Sequence, residues 1–490
     1  MTATGVAEAF IVQKTGQPIS VESVTDRVDS FLPTQAASQT AIQVLSALHL
    51  SPNGTAGDGT GAALPDGFPA SVLAASGQGG SVASVGVPSA SAPTRVDIAL
   101  LPKLSGTALL SQLALLPRGD LAHFVADNPR VMKSLVKNPP SALDVSAWWS
   151  TASPSARKSL VFVAPEVVGN LQGVPFDVRN GANRSYLTTS IRDLKSSMTR
   201  LGRGEIVNAR LQLHMLEQVR KALSVSSNGP VKSLLTFDAT GSGRASIVVG
   251  NLATADYVSY LVPGMFFSVD TALNTWTNVA TELNREQNEW ITRLAASEPS
   301  MAGKTVATVA WIGYQTPGIT GIASLTLADQ GADSLGRAID GVQAVRSGAE
   351  PFVTLIGHSY GSTAAMIELA KGNLKVNALA LIGSPGSAAQ SVSQLSVANN
   401  NVFVGEAAWD PVVNSAFYGS DPGSGAFGAH KMSVAGGVDP ITHHALTASA
   451  GHLGYFTPGS ESMRNLALIS LNQGGLVTQG TTMDASRTLP

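Results

Sequence analysis

The stretch Phe352-Val353-Thr354-Leu355-Ile356-Gly357-His358-Ser359-Tyr360-Gly361-Ser362-Thr363-Ala364-Ala365 decides the fold. An apolar, β-branched run closes on Gly357, and small residues then open an amphipathic segment from Ala364 to Lys371. The order is strand, very tight turn, helix, with Ser359 at the apex. A serine held there has strained backbone angles and a presented hydroxyl, so a glycine stands on each side of it. The first amides of the following helix aim at the same spot and favour negative charge developing there. The competing reading is a glycine-rich turn that cradles phosphate. It requires a lysine after the last glycine, where Ser362 stands. Ser359 is therefore read as a nucleophile.

Around this turn, from Lys232 onward, strands alternate with helices, the signature of an α/β domain with a mostly parallel sheet. Strands are expected at 232–238, 244–251, 257–262, 305–312, 376–382, 402–407 and 431–435. Helices are expected at 271–297, 334–348 and 460–471. The region 96–230 reads as mainly helical, with a long amphipathic helix over Val207–Leu223, and could cap the site. Within it, 165–184 is dense in turn formers and hydrogen-bonding side chains, which suggests a well-specified loop with a structural role. Residues 51–95 are dominated by Gly, Ser, Ala and Pro and read as a linker. Residues 1–50 read as a helical segment with apolar Val24, Val28, Phe31, Ile42, Leu45 and Leu48 at helical spacing. The division expected is thus 1–50, 51–95, 96–230 and a catalytic domain over 231–490.

Composition narrows the function classes. The 490 residues carry 13% charged side chains and a net charge of −2, no footprint for nucleic acid or an acidic membrane. The cysteine count is 0, which removes thiol nucleophiles, disulfides and thiolate metal sites. No apolar run reaches the ~18 residues of a membrane span, and Met1–Gln17 lacks the pattern of a secretory signal. A soluble protein is expected, cytoplasmic, or secreted if a signal has been removed.

A serine hydroxyl at neutral pH needs a base to take its proton and an acid to orient that base. His49, His123 and His214 lie ahead of the α/β domain, and His358 beside the apex points away from it. His452, in a loop before the closing helix, is the expected base, with His443 or His444 second. In this architecture the acid lies between serine and histidine, past the end of a strand. Asp410 fits. Glu406 falls inside the strand, and Asp421 is the reserve. The oxyanion donors expected are the amides of Tyr360 and Met265, with Phe266 as the alternative to Met265. No metal-ligand cluster is visible and no cofactor is expected.

The segments Val262-Pro263-Gly264-Met265, Gly357-His358-Ser359-Tyr360-Gly361-Ser362, Leu381-Ile382-Gly383-Ser384-Pro385-Gly386, Asp410-Pro411 and Gly451-His452 resemble the α/β-hydrolase superfamily. More closely, they are similar to an actinobacterial α/β-hydrolase group formerly described as a domain of unknown function. The Gly-x-Pro and Ala-Asn-Arg elements between Gly169 and Arg184 share that likeness, which covers roughly Ser146 to the end. The resemblance implies a serine-hydrolase fold and triad and says little about substrate.

The function expected is hydrolysis of a small carboxylic ester with an apolar acyl group. The acyl-enzyme would form on Ser359, with His452 as base and Asp410 as acid. Pocket walls are expected from Met265–Phe267, Tyr314–Leu325 and Pro411–Phe427, all poor in Lys and Arg. The same triad could serve an acyltransferase, a thioesterase or a peptidase, and a non-catalytic binding module on this fold is the remaining alternative. Sequence leaves the oligomeric state open.

Overall fold

The computed structural model describes residues 96–227, 229–318 and 321–480. The readings for 1–50 and for 51–95 lie outside the described residues.

An eight-stranded sheet organises the chain, in the order β1-β2-β4-β3-β5-β6-β7-β8. The strands are β1 (Lys232–Asp238), β2 (Arg244–Gly250), β3 (Tyr257–Val262), β4 (Val306–Ile312), β5 (Phe352–His358), β6 (Ala378–Ile382), β7 (Val402–Gly405) and β8 (His430–Lys431). β2 runs antiparallel to both β1 and β4, and every pairing from β4 to β8 is parallel. Parallel strands in the middle of a sheet are covered on both faces, so they read as continuous apolar runs. Alternate residues still go to opposite sides. In β5, Ile356 joins one core while Val353 and Leu355 join the other. In β3, Leu261 faces away from Val258, Tyr260 and Val262. The architecture is an α/β-hydrolase fold preceded by a mainly helical region.

In the helical region, α1 (Gly106–Leu115), α2 (Arg118–Asp127), α3 (Pro129–Lys137), α4 (Ala142–Thr151), α5 (Pro154–Val163) and α6 (Pro165–Asn170) are short. They share a core of their own around Leu109, Phe124, Val145, Trp149 and Val168. Two longer helices follow, α7 (Phe176–Ser197) and α8 (Arg203–Ala222). The span 165–184 is therefore two helices around a tight turn, not a loop. Its polar residues are held by β1, the edge strand. Asn170 donates to the Phe237 carbonyl at 2.7 Å and accepts the Phe237 amide at 3.0 Å, as a residue of a paired strand would. Arg179 donates to Leu235 O at 2.9 Å, Asn183 to Leu234 O at 3.1 Å and Arg184 to Lys232 O at 2.7 Å. Asn180 Oδ1 accepts the Leu234 amide at 2.8 Å. Side chains thus occupy the place of a ninth strand and satisfy backbone groups that burial would otherwise strand.

On one face of the sheet lie α9 (Val269–Leu294) and α12 (Glu461–Ser470); on the other lie α10 (Thr326–Val345) and α11 (Tyr360–Ala370). The crossover from β3 to β4 covers one face and that from β4 to β5 covers the other. The order reverses at β3, so a crevice opens beyond the carboxyl ends of β3 and β5. No helix among the described residues is long and apolar enough to cross a membrane.

Candidate active site

β5 ends at His358, and Ser359 takes φ 55° and ψ −132° before α11 begins. That conformation costs of order 1–3 kcal/mol for a residue with a side chain and persists only where the surroundings impose it. They do so by crowding. A Cβ on Gly357 would lie 2.6 Å from Ser362 Cα, and one on Gly361 would lie 2.4 Å from the Val262 carbonyl oxygen. The Ser359 amide is fixed by donating to Ile382 O at 2.9 Å. The loop after β3 closes in from the other side, where a Cβ on Gly264 would come within 2.9 Å of Ser359 Oγ.

Asp410 follows β7 and His452 precedes α12, and their side chains meet. His452 Nδ1 lies 2.9 Å from Asp410 Oδ1 and 3.0 Å from Oδ2. Burial pushes the Asp410 carboxyl up. Hydrogen bonds from His452, Tyr455 and the Val412 amide, with the attraction of the imidazole, outweigh it and hold the group below the usual carboxylate range. An ionised carboxylate only accepts, so Nδ1 carries a proton and donates to it, and Nε2 lies on the far side of the ring from the pair. Nε2 is buried and has no hydrogen-bond partner. The pair lies beside the elbow. The space next to Gly383 Cα, one residue past the carbonyl that holds Ser359, is 2.8 Å from Asp410 Oδ2 and 3.1 Å from His452 Nδ1.

The amides of Tyr360 and Met265 have no backbone partner among the described residues. Tyr360 opens α11, where the first N–H groups are free by construction. The Phe266 amide is engaged, donating to Pro317 O at 3.2 Å.

The other candidates lie apart from this pair. His443 and His444 are exposed between the two short strands β9 (Gly437–Val438) and β10 (Ala445–Leu446). Asp421 caps its own turn through the Gly423 amide and contributes to the field on Glu406. Burial pushes Glu406 up, and Lys431 opposes it from 3.7 Å. Two contributions were not visible in the sequence reading. The Tyr455 hydroxyl donates to Asp410 Oδ2 at 2.6 Å, and His358 Nε2 donates to the His452 carbonyl at 2.8 Å. Only the short spacing from His452 to Tyr455 hints at the first; for the second, the residue beside the apex turns away from the hydroxyl, yet it holds the loop that carries His452.

Residues 238–420 match a family model described as Alpha/beta hydrolase, a span that includes Ser359 and Asp410 and stops before His452. The chain is 26% identical over 388 residues to an uncharacterized protein of Mycobacterium tuberculosis, covering 68% of this chain and 56% of that protein. It therefore spans little more than half of that relative's length. An uncharacterized protein of Mycobacterium bovis is 29% identical over 211 residues, 42% of this chain and 76% of that one. A solved structure titled as that of an arylesterase aligns with TM-score 0.30 and 12% identity, covering 60% of this chain and 97% of the other. The strand order with its reversal at β3 and the serine elbow after β5 are those of an α/β-hydrolase fold, and residues 238–420 of that fold are what the Alpha/beta hydrolase family model matches.

Proposed function

We propose that the protein hydrolyses carboxylic esters through an acyl-enzyme on Ser359. The observation that carries this reading is the buried, unpartnered Nε2 of His452, on a ring whose other nitrogen is held by ionised Asp410 beside the strained serine. Ser359 Oγ attacks the acyl carbon and passes its proton to His452 Nε2. The carbonyl oxygen takes the negative charge and accepts from the amides of Tyr360 and Met265. His452 then gives the proton to the leaving alkoxide. In the second half, water attacks the acyl carbon, its proton goes to Nε2, and the C–O bond to Ser359 breaks with return of that proton. Apo hydrogen bonds at such sites are commonly long and tighten when substrate arrives, which accommodates the unpaired Nε2.

A fluorophosphonate probe and short-chain nitrophenyl esters test the reading. The native chain is expected to be labelled, Ser359→Ala is not, and His452→Ala loses activity by a factor of ~10⁴. Equal labelling of native chain and Ser359→Ala would remove Ser359 from the chemistry.

A further inference from the structure

We propose that the cleft beside Phe266 receives the acyl chain, and that the substrates are esters whose acyl chain is uncharged and apolar. The inference rests on the acyl-enzyme reading and adds the substrate class. A cleft of about 510 Å³ is walled by Phe266 and Phe267, by Tyr314 to Gly318 after β4, and by Ser242 at the turn between β1 and β2. That volume lies within the range of small-molecule sites. Its wall starts two residues after Gly264, the glycine pressed against Ser359 Oγ.

Position decides which part of the ester goes there. The leaving oxygen must take its proton from His452 Nε2, so the alcohol lies on the side of His452 and Asp410. That side belongs to β6 and β7, because Asp410 follows β7 and both side chains crowd Gly383 after β6. The cleft is on the opposite side of β5, built from the loops of β3, β4 and the β1–β2 turn. An acyl carbon bonded to Ser359 with its leaving group toward His452 projects its chain toward this cleft.

Charge decides which chains fit. No lining residue carries a charge at neutral pH. Burial pushes the Tyr314 phenol well up, and its hydroxyl is spent on Pro263 O at 2.7 Å. The Thr316 hydroxyl is spent on Phe267 O at 3.0 Å, and Ser268 is bonded to Asp270 and Thr271. A carboxylate or ammonium on the chain would meet no opposite charge in the lining, only the neutral Ser242 hydroxyl and Gln315 carboxamide, and would lose more hydration than it regains. Methylene groups lose nothing there and gain burial.

The test compares nitrophenyl acetate, octanoate and a carboxylate-ended acyl ester of similar length on the native chain, Ser242→Trp and Gln315→Trp, two variants that fill the cleft from the β1–β2 turn and from the loop after β4. Octanamide binding to Ser359→Ala, measured calorimetrically, gives a readout without turnover. The expected result is an octanoate-to-acetate ratio of kcat/KM that falls at least tenfold in both variants, with the carboxylate-ended ester the poorest substrate of the native chain. Octanamide affinity should fall tenfold when Ser242→Trp is added to Ser359→Ala. Unchanged ratios in both variants, or a carboxylate-ended ester as fast as octanoate, overturn the proposal. Octanamide binding that is lost with Ser242→Trp, in a chain that hydrolyses no ester, supports the cleft and instead sinks the acyl-enzyme reading.

Discussion

Tyr455 and Asp410 share a 2.6 Å hydrogen bond in which the phenol donates to Oδ2, while the same oxygen of Tyr455 accepts the Ala407 amide at 2.8 Å. The phenol is fully buried, and burial with the neighbouring carboxylate pushes its own pKa well up, so it stays a donor at any working pH. It ties Ala407, two residues past β7, to Asp410 three residues further on.

Tyr455→Phe keeps the ring and removes both bonds. A loss of about 2 kcal/mol in unfolding free energy is expected at pH 7, since one bond serves a charged group and one buried amide is left unpaired. Because the Asp410 carboxyl titrates below its ordinary value in the folded chain, its contribution is present above 3.8 and lost as pH falls through the folded value. The gap between native and variant should be full at neutral pH and narrow below pH 4 in urea titrations. In ester assays kcat should fall with little change in KM, because the contact acts on the base rather than on substrate.

His358 supplies a second pH effect of known sign. Burial first, and the neighbouring His452 second, push its pKa from 6.5 to about 3. Its Nδ1 is buried without a partner, so protonation would place a bare charge in the core. The unfolded ring takes a proton below pH 6.5 and the folded ring does not. Stability therefore falls as pH drops from 6.5 toward 3, by about 1.4 kcal/mol per pH unit from this residue. His358→Gln keeps an N–H for the His452 carbonyl and does not titrate. Subtracting its pH–stability curve from the native curve should isolate that slope, and identical curves would refute it.

Gly264→Ala tests the approach of the β3 loop to the elbow. The new methyl carbon would sit 2.5 Å from Ser359 Cβ and 2.9 Å from Oγ, so loop and hydroxyl must part. Misplacement of about 1 Å at a reacting centre costs on the order of 100-fold in rate. That loss is expected in kcat/KM and in fluorophosphonate labelling, with the folded circular-dichroism spectrum retained.

Arg179→Met tests the covered sheet edge. The guanidinium is fully buried, burial pushes its pKa down to about 10, and it donates to Gly169 O, Gln172 Oε1 and Leu235 O. Removing it unpairs the buried Leu235 carbonyl and the half-buried Gln172 side chain, while Gly169 O keeps its bond from Asn183, so at about 1–3 kcal/mol per lost partner a loss of about 2 kcal/mol or more is expected in urea unfolding. Arg192→Met, at an exposed pair with Asp193, should stay within about 0.5 kcal/mol.

The strands could be read from the sequence because parallel strands covered on both faces leave long apolar runs, and Tyr257–Val262 and Lys232–Asp238 have the limits expected of them. The strained turn at Ser359 could be read because it needs glycines at fixed offsets. Helix limits were less legible. α10 begins at Thr326 rather than at residue 334, since Gly331 looks like a breaker in sequence while in space it leaves room for the Tyr314 ring, whose Cδ2 would lie 2.8 Å from a Cβ. The span 165–184 looked like a loop because its Asn and Arg side chains suit turns, and their partners are backbone groups about 50 residues later. Of the three expected pocket walls, parts of Met265–Phe267 and Tyr314–Leu325 line the cleft, and Pro411–Phe427 does not. The turn between β1 and β2 takes part instead, which only the sheet order brings near.

The side chains that stand in for a ninth strand bear on how this chain can be divided. A fragment begun at Val231 would keep Ser359, Asp410 and His452, yet β1 would present a raw hem of unpaired amides and carbonyls to solvent. Such a border invites strands from other molecules, and the trimmed fragment should come out of cells as insoluble aggregate. Anyone shortening this protein should therefore cut upstream of Pro165 and leave that selvedge sewn in place.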